Sequence, residues 1–279
     1  MKKWNLVIDV DRCMDCNDCF MACKDEFTGN DFPPLSAAQP WSGHRWMNIE
    51  RKERGQYPLV QVAYRPTPCM HCDDAPCIKD SPEGTVYKRD DGLVIIDPVK
   101  AKGHPEIVKT CPYEVIYWNE ELQVAQKCSG CAHLMDEGWK DTRCSQICPT
   151  EAIRLVQADD DEMAEIVQAE GLEVLQPELG ARPRVYYKNL HLWTKAFVAG
   201  RVVLGDVDEC AEGATVTVAH EGRVVGEATT SNYGDYYVDH LEPGSGYTVT
   251  VEAEGYVPFS RTVHLDQSLN IGTAVLQRS

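Results

Sequence analysis

The sequence predicts an α+β protein in two parts: a cysteine-rich first part, in which bound metal takes over much of the work of a hydrophobic core, and a small all-β sandwich after it. Three observations predict this. Twelve of the thirteen cysteines fall between Cys13 and Cys148 in runs with ligand spacing. From about Ala196 the chain changes to short runs rich in Val, Thr and Tyr, separated by Gly, Pro, Asn and Asp. Between the two lies an acidic stretch, Asp159 to Leu175, with Met163, Ile166, Val167 and Leu172 at helical spacing.

A chain of 279 residues, 43% of them hydrophobic, can bury a sizeable core and is expected to form two domains, 1–195 and 196–279. The net charge of −17 argues against a nucleic-acid partner, because phosphate binding needs clustered Lys and Arg. Met1 to Val10 is a short alternating run with no apolar stretch of signal length, and no window approaches the roughly 20 apolar residues of a membrane span. The expectation is a cytoplasmic chain with no membrane anchor. Thirteen cysteines without a secretory signal then point to metal rather than disulfides.

The first part is loop-rich and punctuated by proline. Its acidic stretch reads as a packing helix, and Arg184-Val-Tyr-Tyr187 reads as a short strand. In the second part, Val198 to Leu204, Ala214 to Ala219, Val224 to Thr230, Asp235 to Val238, Tyr247 to Ala253 and Arg261 to Leu265 largely alternate apolar and polar residues. Each should bury one face, and two stacked sheets give a sandwich. Gly213-Ala-x-Val216, Ala228-Thr-Thr230, Gly234-Asp-Tyr236, Leu241-x-Pro-Gly244 and Ala253-x-Gly-Tyr256 resemble the carboxypeptidase-regulatory and transthyretin-like modules. These motifs are turn chemistry and strand pattern, so they specify fold and not function. Cys210 stands alone here and is not expected to be a ligand, and twelve acidic against four basic residues from 196 onward include no catalytic constellation.

Four cysteine runs carry the chemistry of the first part. Cys13-x2-Cys16-x2-Cys19-x3-Cys23 has the spacing of a bacterial ferredoxin run. Cys69-x2-Cys72-x4-Cys77 is the second, Cys111-Pro112 the remnant of a third, and Cys128-x2-Cys131 with Cys144-x3-Cys148-Pro149 the fourth. A 4Fe-4S core needs four converging thiolates, and in paired ferredoxin folds the last cysteine of each run crosses to the other run's cluster. Crossing the first and fourth runs gives one set of Cys13, Cys16, Cys19 and Cys148 and another of Cys23, Cys128, Cys131 and Cys144. Cys69, Cys72 and Cys77 take Cys111 as their fourth.

A fourth set would fall on Ser81, Ala101, His104 and Ile107, none of them cysteine. The coincidence of four losses on one set predicts a double ferredoxin-like domain that holds three 4Fe-4S clusters and lacks a fourth. Zinc, the rival metal, prefers paired CxxC knuckles to triplets trailed by Cys-Pro.

Residues 1 to about 195 resemble the iron–sulfur subunits that accompany molybdopterin enzymes of the dimethyl-sulfoxide-reductase family, in all four runs and in Arg182-Pro-Arg-Val-Tyr-Tyr187. Gly43-His-Arg-Trp-Met-Asn-Ile-Glu-Arg51, Tyr64-Arg-Pro-Thr-Pro-Cys-Met-His-Cys72 and Pro183-Arg-Val-Tyr-Tyr-Lys-Asn-Leu190 resemble the branch of that family that transhydroxylates phenols. The resemblance implies a heterodimer whose large subunit holds molybdenum, two pterin guanine dinucleotides and the substrate, so that this chain transfers electrons and contributes no catalytic residue. It also implies that the Cys13 set lies nearest the large subunit, followed by the Cys23 and Cys69 sets. Alternatives are the electron-transfer subunit of a molybdopterin reductase with a sulfoxide or inorganic substrate, and a free-standing polyferredoxin. His44, Arg45 and Trp46 are read as packed loop residues, with contact to the partner as the other reading.

Overall fold

The structure is a computed structural model that describes all residues 1–279. Two compact units divide the chain: Met1–Glu50 with Tyr64–Leu190, and Arg51–Ala63 with His191–Ser279. No single cut in the sequence separates them, because the middle of the hairpin Asn48–Gln56 and Leu59–Thr67 is counted with the second unit. Residues 51–63 thus go with the second unit although the expected division places them within 1–195.

The first unit is organised on a three-stranded sheet. Its central strand Lys3–Asp9 runs antiparallel to Ile153–Ala158 and parallel to Val185–Lys188. One face buries Val7 and Ala158 against Met163 and Leu172 of the acidic stretch. That stretch is a helix over Asp160–Glu170, five residues shorter at its end than the apolar spacing suggests. Asp159 and Glu162 close a reciprocal capping box at 3.0 Å in each direction, and Gly171 ends the helix in the left-handed region at φ 62°. Everything else in this unit is short: the helix Asp18–Phe27, single turns at Pro76–Lys79, Ala132–Asp136 and Arg143–Gln146, and two-stranded pairs at Val86–Lys88 with Val94–Ile96 and Tyr117–Asn119 with Val124–Gln126.

The second unit is a β-sandwich. In one sheet Ala196–Leu204 is central, antiparallel to Asp235–Leu241 and parallel to Leu269–Leu276. The other runs Arg223–Thr229, Thr215–His220, Ser245–Glu252, Phe259–Leu265, antiparallel throughout. Val198, Val202, Val216, Val249, Val251 and Leu265 are central to the core between them. All six expected runs are strands with ends shifted by a few residues; Leu269–Leu276 was not expected. Within this unit Arg54 is 2% exposed, donates to Asp239 at 2.6 Å and Gln61 at 3.0 Å, and lies 5.2 Å from the Phe197 ring.

Candidate metal centres

Two helices explain why cysteines of one run end up in different places. On Asp18–Phe27, Cys19 and Cys23 are four residues apart and so stand on one face, a turn apart. The turn Arg143–Gln146 separates Cys144 from Cys148 in the same way, and the two helices pack together. Cys19 and Cys148 line a cavity with Cys13 and Cys16, whereas Cys23 and Cys144 line another with Cys128 and Cys131. Each helix thus gives one thiol to each cavity.

A further cavity is lined by Cys69, Cys72, Cys77 and Cys111, with Val94, Ile116 and Tyr113. Cys77 sits on the turn Pro76–Lys79, and Cys111 follows the 3-10 segment Pro105–Thr110. Cys69 also lines the Cys23 cavity, and is the point of contact between the two.

Burial and neighbouring thiols act together on the acidity of these cysteines. Burial pushes the Cys19 thiol up to about 12, and Cys144 of the neighbouring cavity adds to this ahead of Cys13 and Cys148. Burial likewise pushes Cys128 up to about 12, with Cys144 and then Cys69 acting in the same direction. Cys77 is pushed up to about 12 and Cys144 to about 11, again chiefly by burial. Thiols gathered in fours, most of them buried or half-buried, are held protonated by their surroundings; a cation bound among them would displace those protons and stabilise the thiolates.

Several donors already point at sulfur. The His71 N–H donates to Cys69 Sγ at 3.4 Å and the Gly130 N–H to Cys128 Sγ at 3.3 Å. Gln39 Nε2 lies 3.6 Å from Cys23 Sγ, and Thr142 Oγ1 lies 3.1 Å from Cys144 Sγ. Phe27, Met47, Leu93 and Leu155 close the walls of the Cys23 cavity. Soft thiolates in fours, apolar walls and N–H groups aimed at sulfur fit 4Fe-4S cores.

Sequence reasoning missed Lys127. Its ammonium is buried and donates to the carbonyls of Val94 and, at 3.1 Å, Cys128. Burial alone would lower its pKa, but Cys69, Cys77 and Cys128 hold it above the ordinary value. The signal is a lysine placed directly before Cys128, which an argument from cysteine spacing does not reach. His71, between Cys69 and Cys72, was missed for the same reason.

The four positions of the absent set offer no convergent donors. Ala101 and Ile107 are fully buried, the Ser81 hydroxyl is buried without a partner, and His104 pairs outward with Glu106 at 2.8 Å. In the His44-Arg45-Trp46 segment, packing prevails: Trp46 is 1% exposed against Phe27, and His44 bonds the Trp118 carbonyl at 2.9 Å. Arg45 lies over Phe20 at 4.0 Å and bonds Asn48 and Asn17. Cys210 is exposed on the edge of the sandwich.

A unit that gathers twelve thiols around three cavities has the ligand inventory of an iron–sulfur electron-transfer subunit. Known families agree: residues 60–158 match the 4Fe-4S dicluster domain and residues 198–277 the carboxypeptidase regulatory-like domain. The chain is 49% identical over 98% of its own length, and 98% of the relative's, to the pyrogallol hydroxytransferase small subunit of Pelobacter acidigallici. It is 31% identical to a putative iron-sulfur subunit of dimethyl sulfoxide reductase from Halobacterium salinarum, over 68% of this chain and 80% of that one. A thiosulfate reductase electron transfer subunit of Salmonella typhi is 30% identical, over 67% and 94%. The chain belongs to the family of pyrogallol hydroxytransferase small subunits, within the iron–sulfur subunits of the dimethyl-sulfoxide-reductase family.

Proposed function

We propose that this chain holds three 4Fe-4S clusters, on Cys13, Cys16, Cys19 and Cys148, on Cys23, Cys128, Cys131 and Cys144, and on Cys69, Cys72, Cys77 and Cys111, and carries electrons for a large molybdopterin subunit that acts on phenols of the pyrogallol type. The observation that carries this is the set of three thiol-lined cavities, the first and second supplied by the same pair of packed helices and the second and third sharing Cys69 in their walls. Bound there, such clusters supply one-electron carriage.

The chain's own residues do the rest. Helices Asp18–Phe27 and Arg143–Gln146 fix the spacing of the first two sites, apolar side chains keep water from the second, and N–H donors with the Lys127 ammonium offset the charge of the thiolates. Exposed Cys16 leaves the first site nearest the surface, which suits electron exchange with the large subunit. Moving a hydroxyl between phenols changes no net oxidation state, so the task of this chain is to set the oxidation state of the partner's molybdenum. Identity of 49% along the whole length, against about 30% confined to two thirds of the chain for the sulfoxide and thiosulfate relatives, favours the phenolic branch.

Co-purification with the neighbouring large subunit, followed by metal analysis and assay on trihydroxybenzenes and resorcinol, tests the proposal. About twelve iron and twelve sulfide per small chain, molybdenum in the complex and activity on a phenol are expected. About sixteen iron, zinc in place of iron, or a chain that purifies alone with no partner would overturn it. A complex active only on sulfoxides or oxyanions would remove the phenolic part.

A further inference from the structure

His71 has a hydrogen-bond donor that the protein does not use. The residue sits in the left-handed region at φ 45° within Cys69-Met-His-Cys72 and is 6% exposed. Its main-chain N–H serves Cys69 Sγ at 3.4 Å, while its ring turns toward the strand Val94–Ile96, where Nδ1 accepts from the Val94 N–H at 2.9 Å. A backbone N–H can be received only by an unprotonated ring nitrogen, so the single ring proton is on Nε2.

Nε2 is buried and has no partner in the chain. It faces the Cys128–Cys131 loop: a Cβ on Gly130 would lie 3.3 Å from Nε2 and 2.7 Å from Leu93 Cδ2, so glycine at φ +68° is what allows the ring to come so close. His71, Leu93 and Gly130 line the same cavity as Cys23, Cys128, Cys131 and Cys144. An N–H left without an acceptor in the interior loses the hydrogen bond it made to water in the unfolded chain, which is costly. A water would find few polar partners on these apolar walls beyond the thiols themselves. The acceptor that suits the site is sulfur.

We propose that His71 joins two neighbouring centres: its main-chain N–H serves Cys69 of one, and its Nε2–H donates to a sulfur of the cluster held by Cys23, Cys128, Cys131 and Cys144, raising the potential of that second cluster. This rests on the three-cluster reading above. A donor on sulfur stabilises the more negative, reduced state, which is why the direction is upward. His71 acts as a positioning residue, through the cluster and not on any substrate.

The test uses the purified two-subunit complex carrying 15N-labelled histidine, with hyperfine spectroscopy of the reduced state and a redox titration. A histidine nitrogen coupling is expected in the wild type and its loss in His71→Leu, together with a fall in one cluster's one-electron reduction constant of about tenfold, ~59 mV. His71→Gln, which keeps an N–H donor, should recover part of that shift. No histidine coupling in wild type, or unchanged potentials in a fully iron-loaded His71→Leu, would overturn the proposal. Should His71→Leu fail to hold iron, the wild-type coupling and the His71→Gln titration decide. The iron content of the wild type separates the two claims: missing iron sinks the three-cluster reading and this inference with it, whereas full iron without coupling sinks this inference alone.

Discussion

Arg184 holds three distant stretches of the first unit with one guanidinium. It donates to both oxygens of Asp73 at 2.7 and 2.6 Å, to Asn5 at 3.0 Å and to Asp160 at 2.6 Å, with a side chain 3% exposed. Asp73 follows Cys72 directly, so the loop of the third centre is pinned to the central strand and the acidic helix. Replacing Arg184 by Met leaves Asp73 with Lys88 as its one remaining cation, removes the ties to Asn5 and Asp160, and should cost about 3 kcal/mol. Because cofactor loss makes unfolding irreversible, the readout is the unfolding rate, expected to rise about a hundredfold at pH 7; a change under fivefold would contradict it.

The pH dependence has a definite sign. Burial alone would raise Asp73, but Arg184 and Lys88 hold it below the usual value, and hydrogen bonds from Lys3 and Arg184 hold Asp160 at about 2. The unfolded chain therefore takes up protons first as pH falls. The gap between wild type and Arg184→Met should stay constant above pH of about 4 and shrink as the pH falls from there toward 2. At this scale the grouping of the twelve cysteines around three cavities was legible because most of their spacing is local in the sequence. Arg184 lies 111 residues from Asp73 and leaves no such pattern.

Among the elements, the helix Asp160–Glu170 was legible from its apolar spacing, while its ends are set by caps that the spacing does not mark. Asp159, Glu162 and Gly171 are all readable signals, and the overestimate of its end came from following apolar spacing past the glycine. Asp159→Ala removes the acceptor for the Glu162 N–H and should destabilise the helix by about 1 kcal/mol. Amide exchange in residues 161–166 should then quicken about fivefold with the rest of the first unit unaffected, and uniform quickening across the sheet would contradict the cap as the cause.

The strand Leu269–Leu276 was not legible, for an equally physical reason. Gly272 sits at φ 79°, and the pairing with Ala196–Leu204 shifts register beside it, so the two halves of the strand alternate out of phase. The crossing of thiols between the two cavities, in contrast, follows from paired helices: four residues separate Cys19 from Cys23 on Asp18–Phe27, and four separate Cys144 on Arg143–Gln146 from Cys148 just past its end, and spacing alone conveys that.

For the molecule as a whole, the two units are held together by different physics. The second has a continuous apolar core, with Val198, Val202, Val216, Val249 and Leu265 all fully buried. In the first, the buried cysteines take positions an apolar core would fill, and their thiolates need metal to be tolerable there. Stripping iron with a chelator and oxidant should therefore open the first unit to protease while the second survives. Limited proteolysis of the stripped protein, read by mass spectrometry, should leave a resistant fragment over 191–279. Residues 51–63 should be retained with it after the chain is cut on either side, because Arg54 is buried on Asp239 and Phe197 within that unit and removing one partner of such a pair costs about 3–5 kcal/mol. Arg54→Met should release the peptide. A stripped protein that loses both units at one protease concentration, or keeps the first as resistant as before, would mean that metal is not what holds residues 1–50 and 64–190 in place.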